Sequence, residues 1–160
     1  MPASREPAFG KHRPRSIGAE GSGDHGTMDD MGTFRIDVEI ENPAQAGKRA
    51  PVSGVLVDTG AELSVFPSPV LEELGIHRRK TLDFRQADGT VFTRWTGSAL
   101  VYAAGTVATD DVVFGEPGDL TLLGARSLEG LNVRIDPISK RLVDAGPMPL
   151  AAYDIPIVAS

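Results

Sequence analysis

An apolar stretch with an acid in its middle, VLVDTGAELSVFP at residues 55–67, constrains the fold more than any other feature. Val55, Leu56 and Val57 are apolar on both faces of a strand, which is typical of a strand at the centre of a sheet. Asp58 follows directly, and an ionised carboxylate is costly to bury unless partners compensate it. The pattern therefore predicts a central strand that leads into a loop where Asp58 has a chemical role.

The rest of the sequence as far as residue 145 is dominated by short strands and turns. Residues 33–42 alternate apolar and polar side chains with the two-residue period of a half-buried strand. The 18 glycines and 12 prolines favour frequent turns over long helices. Turns between strands are predicted at Asp88-Gly89, near Gly105 and around Asp136-Pro137. The segments before and after Gly97 are predicted as separate strands. We expect a mainly β, barrel-like domain with seven or more strands.

Two short helices are predicted among the strands. In SPVLEELGI, Ser68 is predicted as the N-cap, Pro69 as the first helical residue and Gly75 as the terminator. A second helix of one or two turns is predicted within LTLLGARSLEGL, where it ends at Gly130. Helices of this length leave the fold class mainly β.

Three segments differ in composition. Residues 1–32 are rich in Gly, Ser, Pro, His and charge, which predicts a disordered leader; a propeptide, a docking tail and a later start at Met28 or Met31 are the alternatives. Residues 33–145 form the predicted domain. Residues 146–160 form a C-terminal tail with an apolar IPIV segment, which its proline restricts to an edge or a partial strand.

The charge balance and the missing residue types argue against several functions. A net charge of −6 without a basic stripe argues against nucleic acid as a partner. Without a long apolar run or a signal-peptide core, we expect no membrane association and a cytoplasmic location. Since cysteine is absent and His12, His25 and His77 are far apart, we expect no metal and no cofactor. Asp110 and Asp111 are adjacent on a predicted strand, so they are expected on opposite faces, in a turn or in solvent.

Two motifs in this order suggest a known family. The first is DTGA at residues 58–61, with an apolar triplet before it and an acid and SVFP after it. The second is LLG at residues 122–124, which opens a short helix. Together they resemble the retropepsin-like (retroviral-type, single-domain) aspartic peptidases, which also have bacterial members. The resemblance covers roughly residues 33–143 and implies a retropepsin-like acid-protease barrel with a flap hairpin.

In that family, two aspartates face one water and share one proton, because like charges about 3 Å apart cannot both ionise readily. The resemblance makes Asp58 catalytic and gives Thr59 a hydroxyl that hydrogen-bonds to the partner's loop. Gly60 allows a sharp bend beside the carboxylate, and Ala61 keeps the floor of the site small. The sequence contains one such motif, so the resemblance implies a homodimer in which each protomer supplies one Asp58. Because retroviral relatives interleave their termini, the resemblance also implies that the IPIV segment is a dimer-interface strand.

Further site residues follow from the same resemblance. The hairpin corresponds to the family's flap, which would cover substrate with Ala87, Asp88, Gly89 and Thr90. A hairpin without a lid role is the alternative. The second motif corresponds to residues that pack under the catalytic loop, here Leu122, Leu123 and Gly124.

Glu62 corresponds to an acid that contacts the substrate backbone and, in retroviral relatives, an arginine. Arg126 lies one position later than that arginine, which turns it by about 100° on a helix, so a pair between Glu62 and Arg126 is left open. Phe92 and Trp95 are expected in the core or at the dimer contact rather than as a binding platform.

The resemblance thus implies an aspartic endopeptidase that acts on peptide or protein substrates. One alternative is a catalytically inactive module of the same fold that dimerises or binds peptides. Another is an unrelated β-barrel with a chance motif. The intact Asp58-Thr59-Gly60 together with its glycine partner favours the enzyme.

Overall fold

The structure, a computed structural model, describes residues 34–150. These residues form nine strands and two six-residue helices. The prediction of a mainly β domain with seven or more strands is confirmed. The predicted leader and the IPIV segment lie outside the described residues. The elements are β1 (Phe34–Glu41), β2 (Arg49–Val57), β3 (Ser64–Pro67), α1 (Ser68–Glu73), β4 (Lys80–Arg85), β5 (Val91–Ala103), β6 (Thr106–Gly115), β7 (Leu122–Leu123), α2 (Ala125–Gly130), β8 (Val133–Asp136) and β9 (Arg141–Asp144).

Seven of the strands form one mixed sheet in the order β1-β2-β7-β3-β6-β5-β4. β1 also pairs with β5, where residues 39–41 lie opposite residues 100–102, so the sheet closes on itself. β4 lies beyond this closure and pairs only with β5 among the described strands. β8 and β9 form a separate antiparallel pair. Because the sheet closes, few of its strands have an edge with unpaired backbone groups.

The core contains the side chains that the strand alternation turns inward. Along β1, Phe34, Val38 and Ile40 are buried, whereas the charged residues between them are exposed, as the two-residue period predicts. Fully or almost fully buried side chains come from most of the other elements: Val55, Val57, Phe66, Leu71, Val101, Val112, Phe114 and Leu123. Each such side chain stabilises the fold by roughly 1.5–3 kcal/mol.

Two local predictions are corrected. Pro67, not Ser68, occupies the N-cap of α1, and the Ser68 hydroxyl donates to the Gly115 carbonyl of β6 (2.8 Å) instead of capping the helix. The segments before and after Gly97, predicted as separate strands, are the single strand β5. Glycine is needed at position 97 because the packing is close: a Cβ there would lie 2.5 Å from the His77 carbonyl oxygen.

Candidate active site

Asp58 directly follows β2 and is held by both its backbone and its side chain. Its amide donates to the Leu123 carbonyl (3.0 Å), and its carbonyl accepts from the Ala61 amide (3.3 Å). Its Oδ1 accepts a hydrogen bond from the Gly60 amide at 2.9 Å. The side chain is half-buried, while Thr59 and Gly60 beside it are exposed. The loop therefore presents a fixed carboxylate at the surface of the protomer.

The short strand β7 brings the two sequence motifs together. It pairs in parallel with β2, where Val57 lies opposite Leu123, and antiparallel with β3, where Val65 lies opposite Leu122. The loop of residues 58–63 connects β2 to β3 and must therefore pass over the end of the strand between them. Leu123 is fully buried under this loop's starting point. No local pattern in the sequence predicts this interleaving.

Gly124 lies against the far end of the same loop. A Cβ on Gly124 would lie 2.6 Å from the carbonyl carbon of Leu63 and 3.0 Å from the carbonyl oxygen of Ala61. The next two amides complete the contact, because Ala125 donates to the Ala61 carbonyl (2.8 Å) and Arg126 to the Glu62 carbonyl (3.1 Å). The start of α2 thus holds residues 61–63 through backbone bonds that only close approach allows.

A buried polar network behind the loop was not found from the sequence. Ser64 and Ser127 are fully buried, and their hydroxyls lie 2.5 Å apart. Ser64 Oγ also accepts from the Gly124 amide (3.0 Å), and Ser127 Oγ donates to Asp110 Oδ2 (3.0 Å). The Asp110 side chain is only 7% exposed, so its predicted place in a turn or in solvent is wrong. Ser64, Asp110 and Ser127 are too far apart in the sequence for a local sequence pattern to link them.

A cleft of about 440 Å³ lies between the Asp58 loop, residues 58–63, and the β4–β5 hairpin. The loop contributes Asp58, Gly60, Ala61 and Glu62, and the hairpin contributes Phe84, Gln86, Phe92 and Arg94. Apolar side chains beneath the two, including Val65, Val113 and Leu122, complete the lining. A cleft with apolar walls and a few convergent polar groups is typical of a ligand site.

The hairpin tip does not line this cleft in the described protomer. Residues 87–90 are exposed and form the turn, with Gly89 at φ +87°. The Thr90 amide donates to Asp88 Oδ1 (2.8 Å), and this bond lowers the pKa of the Asp88 carboxyl. The predicted hairpin is therefore present, but the structure brings the strands on either side of the tip to Asp58, not Ala87, Asp88, Gly89 and Thr90 themselves.

Aromatic side chains form part of the hairpin wall of the cleft. Phe84 and Phe92 are opposite each other on β4 and β5, and their rings stack with centroids 5.7 Å apart. Phe92 is half-buried and lines the cleft, whereas Trp95 is 45% exposed. Trp95 therefore does not lie in the core, and its alternative place, at a dimer contact, stays a prediction. Counting back from the Asp88-Gly89 turn would have placed the two phenylalanines on one face.

An ion pair, which the sequence did not predict, lies beside these rings. Arg94 Nε and Nη2 donate to Asp119 Oδ2 and Oδ1 at 2.7 and 2.9 Å, and the two side chains are 14% and 5% exposed. These hydrogen bonds raise the pKa of the Arg94 guanidinium. Glu116 lies 3.4 Å from Arg94 Nη1. The pair joins β5 to the loop that leads into β7, so it ties the hairpin wall of the cleft to a loop that also lines the cleft.

Glu62 and Arg126, whose pairing the sequence left open, do not pair with each other in the described residues. Arg126 Nε lies 3.9 Å from Asp110 Oδ1. Glu62 is exposed on the cleft wall, and within residues 34–150 it has no ion pair with Arg126. The one-residue shift of the arginine on α2 is the physical reason, because it turns the side chain away from the loop and towards β6.

The Asp58 loop carries a second polar side chain, that of Thr59. Thr59 is exposed, and its hydroxyl makes no hydrogen bond within residues 34–150. Asp58 is the one aspartate in the chain that precedes Thr-Gly. The Thr59 hydroxyl therefore faces solvent next to the half-buried Asp58 carboxylate.

Comparison with known proteins adds no assignment, since no family model and no curated protein matches the chain. Among residues 34–150, no group of three or more His, Cys, Asp or Glu side chains is placed to hold a metal ion. None of the helices described is long and apolar enough to cross a membrane.

Proposed function

We propose that the protein is an aspartic endopeptidase whose active site forms when two copies of the chain bring their Asp58 carboxylates together. The observation that carries this proposal is the Asp58 loop itself. Its carboxylate is oriented by the Gly60 amide, and the loop is supported from below by Leu123 and Gly124. It stands at the edge of an apolar cleft. Rigid placement of a carboxylate beside a substrate-sized cleft is what this hydrolysis requires.

The two carboxylates divide the chemistry. One Asp58 is ionised and takes a proton from a water held between the pair, while the other is protonated and donates a hydrogen bond to the scissile carbonyl oxygen. The water oxygen bonds to the carbonyl carbon. The C–N bond then breaks as a carboxyl proton passes to the leaving nitrogen. The pair ends with one proton, as it began, and the titration belongs to the pair.

The cleft supplies the binding surface in this proposal. Phe84 and Phe92 offer an apolar wall to a substrate side chain, and exposed Glu62 can accept hydrogen bonds from substrate backbone amides. In the dimer, the hairpin acts as the flap and its tip, residues 87–90, reaches over the substrate from above. An extended peptide is therefore the proposed substrate.

Matched variants test the chemistry directly. Wild type, Asp58→Asn and Asp111→Asn are incubated with a mixed peptide library from pH 4 to 7, with and without a pepstatin-type inhibitor. Asp111→Asn removes the same charge from β6, outside the cleft lining, and is expected to cleave like wild type. Asp58→Asn should lose cleavage by at least about a thousandfold, because the amide cannot take the proton from water. Equal cleavage by wild type and Asp58→Asn would disprove the proposal.

Mixing tests whether two chains share one site. When subunits exchange freely, a threefold excess of Asp58→Asn leaves each wild-type chain with a wild-type partner in about one dimer in four. Activity per wild-type chain should then fall to about a quarter. Unchanged activity would show that one protomer suffices. A dimer in sedimentation that binds peptides but cleaves none at any pH would identify the inactive module instead.

A further inference from the structure

A directed chain of hydrogen bonds runs from the second motif to a carboxylate outside the cleft. The Gly124 amide lies 3.0 Å from Ser64 Oγ, which lies 2.5 Å from Ser127 Oγ, which in turn lies 3.0 Å from Asp110 Oδ2. Ser64 and Ser127 are fully buried, and Asp110 is almost so. The polar atoms in this series therefore find their hydrogen-bond partners in one another and not in bulk water.

The direction of each bond follows from proton counting. The Gly124 amide can only donate, and the Asp110 carboxylate can only accept. Ser127 has one hydroxyl proton, which goes to Asp110, so Ser64 must donate its own proton to Ser127 and accept from Gly124. The carboxylate thus sets the orientation of both hydroxyls. It is fixed in turn by the Asp111 amide, which donates to Oδ1 at 2.8 Å.

The far end of this chain reaches the catalytic loop. Gly124 is packed against Leu63 and Ala61, and Ala61 donates to the Asp58 carbonyl. We propose that Asp110 is a positioning residue for Asp58. Through Ser127 and Ser64 it anchors Gly124, and Gly124 in turn fixes the position of the loop that carries Asp58. Asp110 does not line the cleft. This inference rests on the proposed function only for its effect on catalysis; its effect on the loop can be measured separately.

The experiment compares Asp110→Ala, Asp110→Asn and Asp111→Ala with wild type. Amide hydrogen exchange is followed by NMR at Gly124, Ala125 and Arg126, and kcat and KM are measured on one peptide that wild type cleaves. Asp110→Ala should speed exchange at these amides about tenfold and lower kcat about tenfold with KM changed less than twofold. Asp110→Asn keeps an acceptor for Ser127 and should recover most of both losses. Asp111→Ala should match wild type.

Each outcome decides the inference. Unchanged exchange at Gly124 in a folded Asp110→Ala overturns it, as does equal loss in Asp110→Asn and Asp110→Ala. Faster exchange with no change in kcat shows that Asp110 holds the loop without serving catalysis, which also overturns the proposed role. If wild type cleaves no peptide while Asp110→Ala still speeds exchange, the proposed function fails and the anchoring of Gly124 stands. If Asp110→Ala does not fold, Ser127→Ala breaks the same chain of hydrogen bonds while the Asp110 carboxylate still accepts from the Asp111 amide. Unchanged exchange at Gly124 in that variant overturns the inference.

Discussion

Gly124 and Leu63 approach each other so closely that no side chain fits between them. A Cβ on Gly124 would lie 2.6 Å from the Leu63 carbonyl carbon and 2.7 Å from its oxygen. The residue that the sequence singles out as part of a motif is thus a glycine because backbone meets backbone at this point. This contact joins the start of α2 to the loop that carries Asp58.

Replacing Gly124 by alanine should therefore destabilise the protein by about 3 kcal/mol, since the backbone on one side or the other must move. Urea unfolding measures the loss. Gly54→Ala is the matched control: Gly54 has a positive φ of 65° but open space around it, so only about 1 kcal/mol of backbone strain is expected. Equal losses in the two variants would contradict close packing at Gly124.

Loss of the Asp119 carboxylate should cost more stability than loss of an exposed one. Asp119→Asn breaks a bidentate pair with Arg94 that is largely shielded from water, and we expect a loss of about 1–3 kcal/mol. Glu72→Gln removes a pair of the same 2.7 Å length with Arg78, but both of those side chains are well exposed, so less than about 1 kcal/mol is expected. Thermal unfolding of both variants at neutral pH separates them; similar losses would show that the cleft pair is not shielded.

Glu41 should contribute to stability in a pH-dependent way. The Gly47 amide and the Tyr102 hydroxyl donate to its carboxylate at 2.8 Å each, and these bonds lower the pKa of Glu41 below its ordinary value. A pKa that is lower in the folded than in the unfolded chain adds stability above the unfolded value. That contribution is lost as the pH falls through the folded value.

Wild type should accordingly melt at a higher temperature than Glu41→Gln at neutral pH, and the difference should shrink as the pH falls below 4.5, the ordinary value for this carboxyl. Tyr102→Phe removes one donor, so the difference in melting temperature that Glu41→Gln causes should be smaller in the Tyr102→Phe background. A difference that stays constant from neutral to acid pH would contradict the role of the ionised carboxylate.

Phe92→Ala should weaken substrate binding more than the chemical step. The substitution removes an aromatic face from the cleft wall and leaves Phe84 without its stacking partner, so we expect KM to rise about tenfold with kcat within a few-fold of wild type. Val91→Ala is the control, because Val91 is the neighbouring residue of β5 on the opposite face and is 51% exposed. Equal KM values in the two variants would exclude the hairpin wall from binding.

Thr59→Val should weaken the dimer without weakening the protomer. The Thr59 hydroxyl is exposed and makes no hydrogen bond within the described residues, so its removal costs the single chain nothing. If each Thr59 bonds across to the partner's loop, two hydrogen bonds are lost per dimer, and the dimer dissociation constant should rise at least tenfold. Sedimentation measures the constant. An unchanged constant would show that the loops do not meet through this residue.

Several features of the fold could be predicted because their causes are local. The turns at Asp88-Gly89 and Gly105 are both present, since glycine adopts the positive φ that tight hairpins need. The alternation along β1 correctly assigned the faces from Phe34 to Ile40, but Glu41 at the end of the strand is buried and not exposed. Ser68 was misassigned because a capping preference competes with any acceptor that the fold brings near, here the Gly115 carbonyl.

By itself, then, the sequence determined most of the strands, the turns and the identity of Asp58 as the residue that needs an explanation. Only the tertiary structure decided that β7 lies between β2 and β3, that Arg126 turns to Asp110 and not to Glu62, and that Ser64 and Ser127 join in one buried chain. The reason is physical. Backbone sterics and side-chain period act between neighbours and are visible in any short window, whereas a hydrogen bond between residues 63 positions apart exists only after the whole sheet has closed.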